Sequence, residues 1–206
     1  MTGTLDTSAL QELCSLGSAT VYEAAGRGRA LAGFLAIDPS LACAGPARLV
    51  VSPPGDNLAI HRAIASASKG DVLVVDVGGS TSAGHWGEIT TVAAQARGIA
   101  GLVINGTVRD SRAILARSFP VFHRGLCILA ATKVAPPKAA PSVLDFCGCT
   151  IKEGDLVVAD VDGIAIIEAE RVLEVLEAAR RRAADEDETM RRLNAGATTL
   201  EIFGWQ

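Results

Sequence analysis

Two short stretches of this 206-residue chain carry residue types that chemistry needs: Gly84-His85-Trp86-Gly87-Glu88 and Asn105-Gly106-Thr107-Val108-Arg109-Asp110. Arg109 can grip a carboxylate through two parallel N–H bonds. Asp110 is a hard oxygen ligand of the kind that suits Mg²⁺ or Mn²⁺. An adjacent Arg-Asp pair is also a common surface ion pair, so its position must decide. Gly84 and Gly87 let backbone approach a ligand closely, and Glu88 opens a helical pattern. Unpaired N–H groups at a helix start, backed by the helix dipole, favour a carboxylate or phosphate. The plainer alternative is a flexible loop before an ordinary helix, with Glu88 only offsetting the dipole. His85 has acid–base chemistry, although a lone loop histidine is more often incidental. His61 and His123 lie elsewhere without zinc-ligand spacing, and Lys69, Lys133, Lys138 and Lys152 read as solvent-facing or loop-bound. The glycine spacing matches neither G-x-G-x-x-G nor the P-loop, which argues against a nucleotide site.

These residues need elements to hold them. Val72 to Val77 is a β-branched run apolar on both faces, as in a strand covered on both sides. The glycine-rich loop 78–87 follows, then a helix over Glu88–Arg97 stopped by Gly98, then a second buried strand at Leu102-Val103-Ile104. Strand, helix and strand in that order form a βαβ unit with parallel, neighbouring strands. Both loops then leave the same carboxyl edge, where ligands bind in such sheets. Neighbouring strands lie about 5 Å apart, so one small ligand can reach both loops.

The remaining pattern predicts a helix over residues 7–25, a strand over Leu41–Ser52 and a helix over Leu58–Ser68. A helical turn over Ser111–Ala116 and short strand-like pieces between 119 and 150 come next. A hairpin spans 156–167 around Asp160-Val161-Asp162-Gly163. A long helix over Glu168–Leu193 is capped near Gly196. One domain over 1–206 is expected, with 168–206 as a C-terminal helix and tail.

Composition excludes several classes. Net charge is −4, and the longest basic run, Arg180-Arg181-Arg182, sits among acidic residues and reads as a solvated helix face, so nucleic acid is not an expected partner. No apolar run approaches the roughly 20 residues of a membrane span, and the N-terminus lacks a signal-peptide pattern. Five scattered cysteines read as reduced thiols of a cytoplasmic protein, and the Cys147-Gly148-Cys149 pair lacks the second pair of a structural zinc site.

Together, 70–76, Gly87-Glu88 and 96–110 resemble the family of 4-hydroxy-4-methyl-2-oxoglutarate aldolases and RraA-like proteins. Residues 19–24, 45–47, 55–57 and 154–163 extend the resemblance over nearly the whole chain. It implies an α/β fold: an αββα-type swivelling domain with a parallel βαβ core and a C-terminal helical arm, assembled as a homotrimer or homohexamer. It implies a divalent metal, Mg²⁺ or Mn²⁺, bound by Asp110 largely through water. Arg109 matches the arginine on the keto-acid end, Glu88 an acidic position at the helix start, and Gly87, Glu88, Ile89 and Thr90 the substrate-binding turn whose Ile89 and Thr90 amides hold the carboxylate. An acidic residue among Asp185-Glu186-Asp187-Glu188 is the candidate to complete a neighbouring copy's site. Many members carry Asp where this chain has Asn105, which removes a charge near the expected metal. The implied reaction is a retro-aldol cleavage of a 4-hydroxy-2-oxo acid to pyruvate, with oxaloacetate decarboxylation as a side activity. The base would be a water ordered by Glu88 or by a neighbour's acidic residue. The rival is a non-catalytic RraA-like regulator that binds ribonuclease E; retention of Glu88 with Arg109-Asp110 argues against it.

Overall fold

The computed structural model describes residues 6–136 and 138–205. In chain order the elements are α1 (Thr7–Leu16), α2 (Ser18–Ala24), β1 (Arg29–Leu31), β2 (Leu35–Ala36), β3 (Cys43–Val51), α3 (Leu58–Ser66), β4 (Val72–Ser80) and α4 (Glu88–Ala96). They continue with β5 (Gly101–Val108), α5 (Ser111–Ala116), β6 (Val121–His123), β7 (Gly125–Leu126), β8 (Val143–Phe146), β9 (Cys149–Lys152), β10 (Leu156–Ala159), β11 (Ile164–Ile167), α6 (Val172–Asn194) and α7 (Thr199–Phe203).

The main sheet runs β1-β11-β10-β3-β4-β5-β6-β2, with β7 alongside β5. Strand β3 belongs to two halves. Its first residues pair antiparallel with β10, and Ala47–Val51 pair parallel with β4. The chain bends there, so the two halves fold face to face. Three apolar clusters fill the resulting layers. One, with Val72, Val74, Val103, Val157 and Ile164, lies between the sheet halves. A second, with Leu73, Val75, Ile104, Ile60 and Ile114, lies under α3, α4 and α5. The third, with Val158, Ile167, Leu13, Val21 and Val175, lies under α1, α2 and α6. The order helix, sheet, sheet, helix is the αββα arrangement, with parallel β3-β4-β5-β6 at its core and a C-terminal helix. Alternate residues of β4 feed different clusters, which explains why its sequence is apolar on both faces. Burying each such Val, Leu or Ile contributes roughly 1.5–3 kcal/mol.

Several boundaries differ from the pattern. The helix expected over 7–25 breaks at Gly17 (φ 83°), where the Asp160 carboxylate accepts from the Ser18 amide at 2.6 Å and starts a second helix. Strands β4 and β5 run on through Ser80 and Val108, so the start of the first expected loop and most of the second are strand. The Asp160–Gly163 turn does join antiparallel β10 and β11. The long helix begins at Val172 after a single 3₁₀ turn. Arg180 and Arg182 are not a free solvated face: they pair with Glu12 of α1 and Glu23 of α2, tying α6 to those helices. No helix among the described residues is long and apolar enough to cross a membrane.

Candidate functional site

The end of β5 and the start of α4 are stitched together by backbone. The His85 amide donates to Thr107 O at 2.9 Å, and the Arg109 amide donates to Trp86 O at 2.8 Å. Trp86 anchors this seam from below. It is 1% exposed, donates its ring N–H to Thr91 Oγ at 2.7 Å and stacks on Phe119. The stitching forces close approach. A Cβ on Gly87 would lie 2.5 Å from Asp110 Oδ2, and one on Gly84 would lie 2.4 Å from Cys127 O. Gly87 has an extended backbone (φ −160°) that any residue can adopt, so lack of space is what excludes a side chain there.

Asp110 sits in the left-handed region (φ 57°, ψ 34°), which aspartate tolerates better than most residues. That conformation turns its carboxylate back onto α4. Oδ2 accepts from the Glu88 amide at 3.1 Å, and Oδ1 accepts from Arg109 Nε at 3.2 Å. Each oxygen has a further lone pair, and the terminal nitrogens of Arg109 are not used by this pair. The amides of Ile89 and Thr90 meet no acceptor among the described residues, as expected for the first turn of a helix.

These groups face one cavity of about 190 Å³. Gly87, Ile89, Thr90, Arg109 and Asp110 form one wall. Asn57, just before α3, and His61 of α3, with Ala130, Ala131 and Lys133, form the other. Burial, and then the charge of Lys133, push the His61 imidazole below its ordinary pKa. Sequence reasoning set His61 and Lys133 aside and did not single out Asn57. One signal was available: Asn57 and His61 are four residues apart at a helix start, hence on one face. Lys133 carried no local signal.

Other expected positions differ. Glu88 does not share the cavity. Its carboxylate is gripped by Arg117 at 2.7 and 3.0 Å and lines a separate open depression with residues of α5; of the described residues, Asp110 alone borders both. His85 is fully buried; its Nε2 accepts from the Gly55 amide at 3.0 Å, so it latches a turn and faces no ligand. Burial lowers its pKa and keeps it neutral near pH 7. Asn105 donates to Asp76 Oδ1 at 2.9 Å instead of lining the cavity with Asp110. Residues 185–188 lie on α6, past the part of that helix that packs on the third cluster, and none of them lines the cavity. No cluster of three or more His, Cys, Asp or Glu side chains suited to a metal occurs among the described residues. A single exposed carboxylate beside backbone amides does fit the water-rich binding typical of Mg²⁺, which takes one or two carboxylates and keeps several waters.

Residues 18–166 match the profile of the RraA-like family, described as Aldolase/RraA. A protein of Halalkalibacterium halodurans with a provisional 4-hydroxy-4-methyl-2-oxoglutarate aldolase name is 36% identical over 77% of this chain and 75% of its own length. The crystal structure of an uncharacterized Pseudomonas syringae protein superposes with a TM-score of 0.86 at 29% identity, covering 96% of this chain and 93% of that one. That of Streptomyces coelicolor RraAS2, described as an unusual member of the RNase ES inhibitor RraA family, gives 0.79 at 26% identity over 92% and 100%.

Proposed function

The chain belongs to the RraA-like family, and from that membership we propose that it is a divalent-metal-dependent lyase cleaving 4-hydroxy-2-oxo acids to pyruvate. The observation carrying this reading is the convergence of Arg109, Asp110 and the unpartnered Ile89 and Thr90 amides on one small cavity. The amides, with the α4 dipole behind them, bind the substrate's 1-carboxylate. The terminal nitrogens of Arg109 reach the 2-oxo oxygen and stabilise the negative charge that grows there as the C3–C4 bond breaks. Asp110 would hold Mg²⁺ or Mn²⁺ together with water; when bound, that ion supplies Lewis-acid polarisation of the 2-oxo group. Lys133, on the opposite wall, suits a second carboxylate, as in 4-hydroxy-4-methyl-2-oxoglutarate or oxaloacetate. Ile89 and Trp86 border the cavity and limit water.

Glu88, locked to Arg117 outside the cavity, is a poor candidate to order the basic water. That role falls to an acidic residue of a neighbouring copy, from Asp185 to Glu188, in a homotrimer or homohexamer. Support comes from exposed apolar side chains, Ile89 (81%) on the cavity and Val134 (82%) next to Lys133 in the chain, which a neighbouring copy would cover.

The test is pyruvate release from oxaloacetate with Mg²⁺ and with EDTA. Activity that survives EDTA overturns the metal dependence. The likeness to RraAS2 favours one other reading, a non-catalytic ribonuclease inhibitor. No pyruvate release, with inhibition of ribonuclease E by the same preparation, would establish that alternative.

A further inference from the structure

We propose that Asp56 is a positioning residue whose buried carboxylate fixes the cavity wall opposite Arg109, joining the start of α3 to the 132–135 segment and so holding Lys133 over the substrate. The carboxylate is 4% exposed and takes part in no ion pair among the described residues. It is compensated by donors alone. Oδ1 accepts from the Leu58 amide at 2.9 Å, at the head of α3. Oδ2 accepts from Thr132 Oγ at 2.8 Å and from the Val134 and Ala135 amides at 2.7 and 3.3 Å. Lys133 is therefore flanked on both sides by residues bound to the same oxygen. Two backbone bonds, Asn57 N–H to Thr132 O at 3.0 Å and Thr132 N–H to Gly55 O at 2.7 Å, complete the junction. Among the described residues the Lys133 side chain makes only a long 3.4 Å bond, to Ala131 O, so its place depends on its neighbours.

Burial raises the Asp56 pKa, but the four donors outweigh it and hold the carboxyl at about 2. The junction stays anionic over any ordinary working pH. Asp56→Asn keeps the shape but leaves a single neutral oxygen for two groups of donors: with that oxygen on the 132–135 segment, its N–H₂ opposes the Leu58 amide, so one side of the junction is lost and the other is held by a weaker acceptor.

The consequence for substrate rests on the lyase reading, so the experiment has two arms. In the first, oxaloacetate decarboxylation with Mg²⁺ is compared in wild type, Asp56→Asn, Lys133→Ala and the double variant. Asp56→Asn is expected to raise KM roughly tenfold with kcat within about twofold, and to add little once Lys133 is gone. Equal KM effects in both backgrounds overturn the proposal. In the second arm, amide hydrogen exchange needs no turnover: Val134 and Ala135 should exchange faster in Asp56→Asn while Val74 and Val103 do not change. Unchanged exchange at 134 and 135 also overturns it. If wild type releases no pyruvate but exchange changes as stated, the lyase reading fails and the junction stands. Should Asp56→Asn not fold, Thr132→Val removes one donor and should shift KM and exchange in the same direction by less; no shift overturns the proposal.

Discussion

The two walls of the cavity are built in opposite ways. The wall of Arg109, Asp110 and the α4 start comes from two contiguous stretches at the edge of a βαβ unit, aligned by parallel strand pairing. The wall of Asn57, His61 and Lys133 is joined by the Asp56 carboxylate, which bonds residues 76 to 79 positions away, and by two backbone bonds beside it. The first wall is rigid because strand register and buried Trp86 fix it. The second is only as firm as its hydrogen bonds. This difference predicts that changes on the first wall reduce turnover, whereas changes on the second weaken binding.

The largest effect should come from Asp110→Ala. Among the described residues it removes the only carboxylate on the cavity, so Mg²⁺-dependent pyruvate release should fall by roughly a thousandfold or more, with thermal stability near wild type. Normal turnover in this variant removes Asp110 from the chemistry and dissolves the contrast between the walls. Gly87→Ala comes next. Its new methyl would meet Asp110 Oδ2 at 2.5 Å and push the carboxylate off its bonds to Glu88 and Arg109. A misplacement of that size should cost roughly a hundredfold in kcat. An effect on KM alone would mean that position 87 serves binding only. Lys133→Ala, on the second wall, should raise KM for oxaloacetate roughly tenfold and leave kcat nearly unchanged. If kcat falls with it, the two walls share the same chemistry.

The first wall was legible in the sequence because its determinants are local. Glycines next to a helix start, an Arg-Asp pair after a second buried strand, and the parallel order of a βαβ unit are all short-range patterns. Two features were still misread there. Glu88 looked like a partner of Asp110, but sequence spacing does not show that Arg117, one helix further on, captures its carboxylate. The strands outrun their apolar cores, because Asn105 and Gly106 still pair with Asp76 and Ser80, while Gly78-Gly79 (φ 67° and 68°) bulge out between those two pairs. The second wall was illegible for a different reason. Nothing near Lys133 distinguishes it from a surface lysine; its place is set by Asp56, which reads locally as one residue of a turn. Likewise the αββα layering followed from resemblance, whereas its physical cause, a bend in β3 shared by two sheet halves, shows only in the pairing.

Acid should separate the walls as well. Asp56 has a folded pKa of about 2, below its ordinary value of 3.8, so the stability it contributes is full above that ordinary value and is lost as pH falls through about 2. Exchange protection at Val134 and Ala135 should therefore fade with acid in that window before protection in β4 and β5 does. Simultaneous loss across all of them would mean the second wall has no independent weak point.

The smallest effect belongs to Asn105→Asp, which installs the aspartate that the family resemblance leads one to expect there. Asn105 donates its side-chain N–H to Asp76 at 2.9 Å, and the Gly78 amide donates to the same oxygen. An aspartate would set two carboxylates against each other with one donor between them, and like charges at that range cannot both stay ionised without cost. Stability should fall by about 1–2 kcal/mol at pH 7, and by less near pH 4, where one carboxyl takes up a proton. Turnover should change little, because the pair lies outside the cavity wall formed by Arg109 and Asp110. Urea unfolding at the two pH values gives the first quantity, and oxaloacetate decarboxylation gives the second. A gain in turnover or in Mg²⁺ affinity would show that the electrostatic reach of the first wall extends down β5 to position 105, and the boundary drawn between strand edge and cavity would have to move inward.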